Sequence, residues 1–168
     1  MEDQALNKMN TVTLYEEQLS LMVPKSMLSA RKKSITWKEV AELPLCLLSP
    51  YMKERQVMDE AFSGVDCDPS PKLECNSIFQ LAFHVMQGTL ATIVPSGFSR
   101  ANDAFPCTRE IQLTNPVISK PVGLVWEPVT PPLPMAQAFA DLLTASCDTI
   151  AASLERPINQ PSSRNAVA

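Results

Sequence analysis

Glycine is scarce in this chain, four in 168 residues, and its scarcity removes several functions at once. A dinucleotide-binding G-x-G-x-x-G turn, a Walker loop and a G-x-S-x-G nucleophile elbow all need glycine where backbone turns sharply or approaches a ligand, and none occurs. Histidine is scarcer still. His84 stands alone on the polar stripe of an apolar helix, where a half-exposed surface or interface histidine is a plainer reading than a general base. Cys46, Cys67, Cys75, Cys107 and Cys147 are odd in number and form no C-x-x-C pair, so they read as reduced thiols of a cytoplasmic protein. Nothing calls for a metal or a cofactor. No apolar run approaches the roughly 18 to 20 residues of a membrane span, and Met1-Glu2-Asp3 carries acids where an export signal carries bases. A net charge of -4 and a pI near 5.0 argue against nucleic-acid binding by the chain as a whole, because phosphate contacts need a basic surface.

Apolar residues make up 45% of the chain, enough for a real core in one domain or two small ones. The most informative stretch is Asn76 to Pro95. Asn76 and Ser77 are preferred N-cap types, and Ile78, Phe79, Leu81, Ala82, Phe83, Val85 and Met86 leave only Gln80, His84 and Gln87 polar. That spacing predicts a helix largely buried on all sides but one. Gly88 supplies the left-handed residue that ends it, and Leu90 to Val94, closed by Pro95, is a short strand covered on both faces. A helix followed by a buried strand is half of a βαβ unit, so the expected class is α/β with a mostly parallel sheet flanked by helices.

The rest of the chain fits that class. Val12 to Val23 alternates loosely and stops at Pro24, like a strand or strand pair. Arg31-Lys32-Lys33 follows in a loop and reads as solvated charge rather than a phosphate patch. Thr36-Trp37-Lys38-Glu39 has capping-box spacing, so a short helix should run from Trp37 to about Glu42, with a strand at Leu45 to Leu48. Ser49-Pro50 reads as an N-cap followed by proline at the first helical position, opening a helix that ends near Gly64 and puts Tyr51, Glu54, Met58, Ala61 and Phe62 on one face. Lys72 to Cys75 is a brief strand, Ser96 to Cys107 a loop, and Arg109 to Leu113 and Pro121 to Trp126 two further strands. From Met135 a last amphipathic helix places Ala138, Phe139, Leu142, Leu143 and Ser146 together and frays between Cys147 and Leu154.

In a parallel sheet, ligands bind beyond the carboxyl ends of the strands, where helix N-termini attract anions. Three places mark that edge: Leu48 into Ser49-Pro50, Cys75 into Asn76-Ser77, and Val94 into Pro95-Ser96. A small carboxylate, phosphate or sulfate would be held by Ser49, Asn76, Ser77 and nearby amides. The plainer alternative is that these side chains only cap their own helices.

Taken in order, several stretches resemble the effector-binding portion of LysR-type transcriptional regulators. They are Leu14 to Pro24, Ile35 to Ser49, Met58 to Phe62, Asn76 through Gly88 to Pro95, and Pro131 to Leu143, together covering about residues 12 to 147. The resemblance implies a fold like that of periplasmic binding proteins, with two subdomains joined by crossover strands and a small effector between them. It implies a complete second subdomain at 24–120 and a partial first subdomain at 1–23 and 121–147 carrying the crossover strands and closing helix; the tail at 148–168 is expected to be mostly disordered because its end, Pro157 to Ala168, is polar and interrupted by proline. The site residues would be Ser49, Pro50, Asn76, Ser77, Pro95 and Ser96, with a small anionic molecule as partner. DNA would be bound only through a winged helix-turn-helix that this chain does not carry.

Self-association is expected as well, because Leu19, Leu21 and Val23 with Phe139, Leu142 and Leu143 would lie uncovered beside an incomplete subdomain. The alternatives are an interaction or dimerisation fragment that binds no effector, and a small α/β hydrolase-like enzyme using Ser49 or Cys75 as nucleophile; the leading reading is not an enzyme. The purified chain should give no saturable, sequence-dependent gel shift with operator DNA at physiological salt, since it is acidic and lacks a basic recognition helix.

Overall fold

The computed structural model describes residues 9–101, 105–129 and 134–154. The chain divides into two compact units, Glu17–Lys120 and a second made of the two ends, Met1–Glu16 with Pro121–Ala168.

The strand β1, Asn10–Pro24, is one continuous element of 15 residues, and its character changes along its length. Asn10 to Leu19 is nowhere buried, whereas Ser20 to Pro24 is buried throughout. That second half is an unalternating apolar run, as a strand covered on both faces requires. In the larger unit it is the centre of the sheet. It pairs antiparallel with β5 (Thr92–Pro95), from Leu19 opposite Pro95 to Met22 opposite Thr92. On its other side it pairs antiparallel with β6 (Thr108–Thr114), from Ser20 opposite Gln112 to Pro24 opposite Thr108. Beyond β6 lies β2 (Ser34–Thr36), parallel to it.

Two more strands, β3 (Cys46–Leu48) and β4 (Leu73–Cys75), pair in parallel. A parallel bridge from Leu45 to Ala91 carries β3 onto β5. The expected α/β class holds, and the sheet is mixed: β3 with β4, β3 with β5 and β2 with β6 run parallel, while β5 and β6 both run against β1.

Helix α1, Trp37–Ala41, forms where the capping box predicts it: the Thr36 hydroxyl accepts from the Glu39 amide, and the Glu39 carboxylate accepts from the Thr36 amide. Trp37 is fully buried, meets Phe62 edge-on at 5.0 Å, and donates its indole N–H to the Pro116 carbonyl at 2.8 Å. The basic loop before α1 is tied down from below, because the Arg109 guanidinium donates to the carbonyls of Leu28, Ser29 and Lys32.

Helix α2, Lys53–Ser63, starts later than Ser49-Pro50 suggests. Its N-cap is Met52, and Ser49 to Met52 form a turn closed by the Met52 amide on the Ser49 carbonyl at 3.0 Å. Pro50 suits that turn as well as it suits a first helical turn, since both need φ near -65°. The expected apolar face holds for Met58, Ala61 and Phe62, but Tyr51 lies in the turn and is exposed, and Glu54 is exposed too.

Helix α3, Ile78–Met86, departs further. Leu81, Ala82 and Val85 are buried, but Phe79 and Phe83 are 50% and 53% exposed, so the helix has one buried side rather than three. Gly88, at φ 93°, ends it in the left-handed conformation expected. The stretch expected as a loop after β5 contains one short helix, α4 (Phe98–Ala101).

In the second unit, β7 (Ser119–Trp126) pairs with the first half of β1. Gly123 permits that pairing: a Cβ there would collide with the Val12 carbonyl oxygen. Helix α5, Pro134–Leu154, runs unbroken to Leu154, so 148–154 of the expected tail are helical, and 155–168 lie outside the described residues. Its expected apolar face is left open: Ala140 is buried while Met135, Phe139 and Leu142 are exposed. Leu21 and Val23, by contrast, are fully buried and offer no face for self-association.

The capping box generates a pH prediction. The Glu39 carboxyl is held from its ordinary 4.5 down to about 2, first by the hydrogen bond from Lys32 and then by those from Thr36. A depressed carboxyl stabilises the fold above its unfolded value and loses that contribution as pH falls toward 2. Thermal melts should show Glu39→Gln below the parent at pH 7, by a small margin because the pair is exposed, with the gap closing between pH 4.5 and 2. Thr36→Ala should cost about 1 kcal/mol at pH 7.

Candidate functional site

The parallel strands β4, β3 and β5 end side by side. The β3–β4 ladder continues one step past its last pair, with the Ser49 amide donating to the Cys75 carbonyl at 2.9 Å, so Ser49 and Asn76 come next in register. Counting on from the Leu45–Ala91 bridge brings Pro95 opposite Ser49. Asn76, Ser49 and Pro95 thus form one row across three strand ends, flanked by Pro50, Ser77 and Ser96. Asn76 and Pro50 are exposed, and Ser49, Ser77, Pro95 and Ser96 are partly so.

The polar groups of this row differ in what they have left to offer. The Ser77 hydroxyl caps α3 by accepting from the Gln80 amide at 3.5 Å, a long bond that a competing partner could loosen. Ser49 caps nothing. Its carbonyl accepts from Met52, which makes it a turn residue rather than the N-cap expected of it. Ser96 is committed: its hydroxyl lies 2.7 Å from that of Ser20, and its amide donates to the Gln18 carbonyl.

Two charged residues that were not singled out in the sequence hold this edge together. Arg55, on α2, is 7% exposed; it donates from Nη1 to the Leu48 carbonyl at 2.7 Å and to Glu74 at 2.6 Å, and from Nε to Asp59 at 2.7 Å. It therefore ties the last residue of β3 to the side chain before the last residue of β4. Burial alone would lower its pKa, but the bonds to Asp59 and Glu74 outweigh burial and raise it. A signal existed, since positions 55, 58 and 62 share one helical face and Asp59 stands at i+4.

Glu110, on β6, is 5% exposed, and its carboxylate accepts from the amides of Gly97 and Ser99 and from the Ser99 hydroxyl at 2.6–2.7 Å. These are the free amides at the start of α4, so an internal carboxylate already takes the place an anion would occupy there. No local pattern reveals this, because acceptor and donors are 11 and 13 residues apart.

Of the two residues weighed as nucleophiles, the Cys75 thiol donates to the Ser77 carbonyl and Ser49 lies in the turn before α2. In the core nearby, burial pushes the Cys46 thiol up to about 11. Among the described residues no cluster of His, Cys, Asp and Glu could hold a metal ion, and no helix is long and apolar enough to cross a membrane. His84 is exposed on α3.

Residues 2–148 match the LysR substrate binding domain family, and the chain belongs to that family. This is a family of effector-binding domains of transcription regulators rather than of enzymes. No curated protein matches the sequence. Among solved structures, the chain is similar to CbnR, a LysR family transcriptional regulator, at TM-score 0.66 and 16% identity, covering 84% of this chain and 48% of that one. It is similar to the CcmR regulatory domain of Synechocystis PCC6803 in complex with 2-PG at TM-score 0.70 and 14% identity, covering 85% and 69%. It is also similar to the effector-binding domain of QuiR in complex with shikimate at TM-score 0.68 and 16% identity, covering 85% and 67%. The chain thus spans about half the length of CbnR and about two thirds of the other two domains.

Removing either buried charge should be costly. Glu110→Ala strands two amides and should lower stability by about 2 kcal/mol or more, and Arg55→Ala by about 2 to 3 kcal/mol. Urea unfolding would check both, and Glu74→Gln, at a half-exposed partner, should fall well below either.

Proposed function

We propose that this chain is the ligand-sensing regulatory domain of a cytoplasmic LysR-type transcription regulator. It binds a small anionic effector at the carboxyl ends of β3, β4 and β5. The observation that carries the reading is the row Asn76, Ser49 and Pro95 beside the N-terminus of α3, a nine-residue helix whose first amides are capped only by the long Ser77 bond. A helix N-terminus with loosely held amides favours negative charge. Two similar domains carry small molecules, 2-PG and shikimate, in their described complexes.

Within that row the roles divide. Asn76, Ser77 and Ser49 supply the polar contacts, while Pro50 and Pro95 act as walls. Ser96 also belongs to the wall, since its own groups and the amides after it are spent on Gln18, Ser20 and Glu110. The segment 24–120 is the second effector-binding subdomain, 1–23 and 121–147 are part of the first, and DNA is reached through a helix-turn-helix outside this chain. The domain also self-associates.

A second reading, an interaction fragment without an effector, draws on the open face of α5 in a unit where Ala140 is the buried apolar residue among those described. A thermal-shift screen of small carboxylates and organophosphates separates the two. A ligand at 100 times its Kd should stabilise the native state by about 2.7 kcal/mol, and a flat response across the panel would favour the fragment. For whichever compound binds, calorimetry should show Ser77→Ala weakening affinity by about 1 to 2 kcal/mol. His84→Ala should be nearly silent, and the reverse ranking would move the pocket to another face.

A further inference from the structure

Arg31-Lys32-Lys33 reads as solvated charge in the sequence, yet the fold gives that loop more order than solvation needs. The segment between β1 and β2 is fastened along its length. The Lys25 amide donates to the Cys107 carbonyl, the Lys32 amide donates to the Ser29 carbonyl, and the Lys33 carbonyl accepts from the Gln112 amide. Met27 and Leu28 pack against the core. Arg109 gathers the carbonyls of Leu28, Ser29 and Lys32 and meets no carboxylate among the described residues, so its positive charge stays uncompensated. Charge is segregated as well. From Gln18 to Lys38 the chain has five bases, Lys25, Arg31, Lys32, Lys33 and Lys38, and no acid; taking those five from the net charge of -4 leaves -9 on the rest. Lys32 is spent on Glu39 at 2.6 Å and Lys25 on the Pro106 carbonyl. Arg31, Lys33 and Lys38 are exposed, and their side chains pair with nothing among the described residues. Ser26, Ser29 and Ser34 in the same segment are exposed too. The strand order β2, β6, β1, β5 puts β2 and the loop leading into it across β6 and β1 from the strands that end in Asn76, Ser49 and Pro95.

We propose that Arg31, Lys33 and Lys38 form a docking surface for the phosphate backbone of duplex DNA, held without regard to base sequence. Composition decides between the two kinds of polyanion that such a patch could meet. A protein partner is held chiefly by buried aromatic and apolar anchors, and no large apolar side chain is exposed between Gln18 and Lys38. Phosphate oxygens are held by arginine, lysine and hydroxyl groups, and those are what this segment exposes. The acidity of the rest of the chain does not cancel the patch, because at about 0.1 M salt exposed charges more than about 10 Å apart are largely screened. A loop already fastened gives up little freedom on binding. Three such contacts hold weakly by themselves. They count in a protein that grips the same duplex elsewhere, since tethering raises the effective concentration to the order of millimolar. No residue of the effector row takes part, so this docking stands or falls apart from effector binding.

Fluorescence anisotropy of short labelled duplexes titrated with the full chain tests it. Affinity should be the same for unrelated sequences and should fall with salt at a log–log slope of about -2.7, about 0.9 for each of three phosphate contacts, hence about fortyfold between about 50 and about 200 mM. Arg31→Gln, Lys33→Gln and Lys38→Gln should each weaken binding and make the slope shallower by about 0.9. The triple variant should lose both, and Arg31→Lys should keep both because the charge is kept. Lys72→Gln, at an exposed base before β4, is the control and should change neither. Far-UV spectra and melts establish that each variant is folded, and the salt slope of the parent is a readout that needs no variant. A polyglutamate peptide should bind more weakly than the duplex, whose charges are more closely spaced. Absence of binding at about 50 mM salt, or a slope near zero, overturns the docking. A loss on Lys72→Gln equal to that on Arg31→Gln overturns this surface, and polyglutamate binding as tightly as the duplex overturns the phosphate assignment in favour of an acidic protein.

Discussion

The rest of the larger unit depends on burying the second half of β1. Leu21, Met22 and Val23 are fully buried, each contributing roughly 1.5 to 3 kcal/mol of transfer free energy relative to exposure. Burial on both faces obliges the backbone to find partners on both edges, and β5 and β6 supply them. Because β1 is antiparallel to both, its register decides where each of them ends. Pro95 stands opposite Leu19, Ser96 is fastened to Gln18 and Ser20, and Glu110 stands opposite Met22, close enough to reach the turn after β5. The edge on which ligand chemistry is expected is thus positioned from the middle of the sheet outward.

That edge is kept in shape by two charges serving opposite needs. Arg55 is a buried donor that gathers a strand-end carbonyl and two carboxylates. Glu110 is a buried acceptor that gathers two amides and a hydroxyl. Each satisfies backbone groups that strand and helix ends leave unpaired. The consequence for recognition is selective. Glu110 closes the amides after β5 to an outside anion, whereas those at the start of α3 face nothing stronger than the Ser77 hydroxyl at 3.5 Å. The same helix therefore carries the proposed effector contact at its N-terminus and the exposed Phe79 and Phe83 along its flank.

Much of this fold is legible in the chain where the signal is short-range. The Thr36–Glu39 box, the Ser77 cap and the Gly88 stop each rest on contacts three or four residues apart, and all three appear as expected. The β1 run and the ordered resemblance to LysR-type effector domains also led to the right class and family. Ser49-Pro50 misled because proline's fixed φ suits a turn and a first helical turn equally, and only the Met52 bond to Ser49 separates them. On α3 the wheel of apolar residues did not distinguish a side facing a core from the side where Phe79 and Phe83 stay exposed.

Composition, caps and periodicity by themselves determined that this is an α/β chain, where its main helices stop, and which residues end its parallel strands, and the ordered resemblance to LysR-type effector domains added the family. Those properties follow from backbone preferences and near-neighbour contacts. Tertiary structure alone decided that β1 runs against both β5 and β6, that Arg55 turns inward to Glu74 nineteen positions away, and that Glu110 occupies the amides after β5. It also decided that Phe79 and Phe83 stay at the surface. Each of those outcomes depends on which distant segment fills the space beside a residue, and no local pattern encodes that.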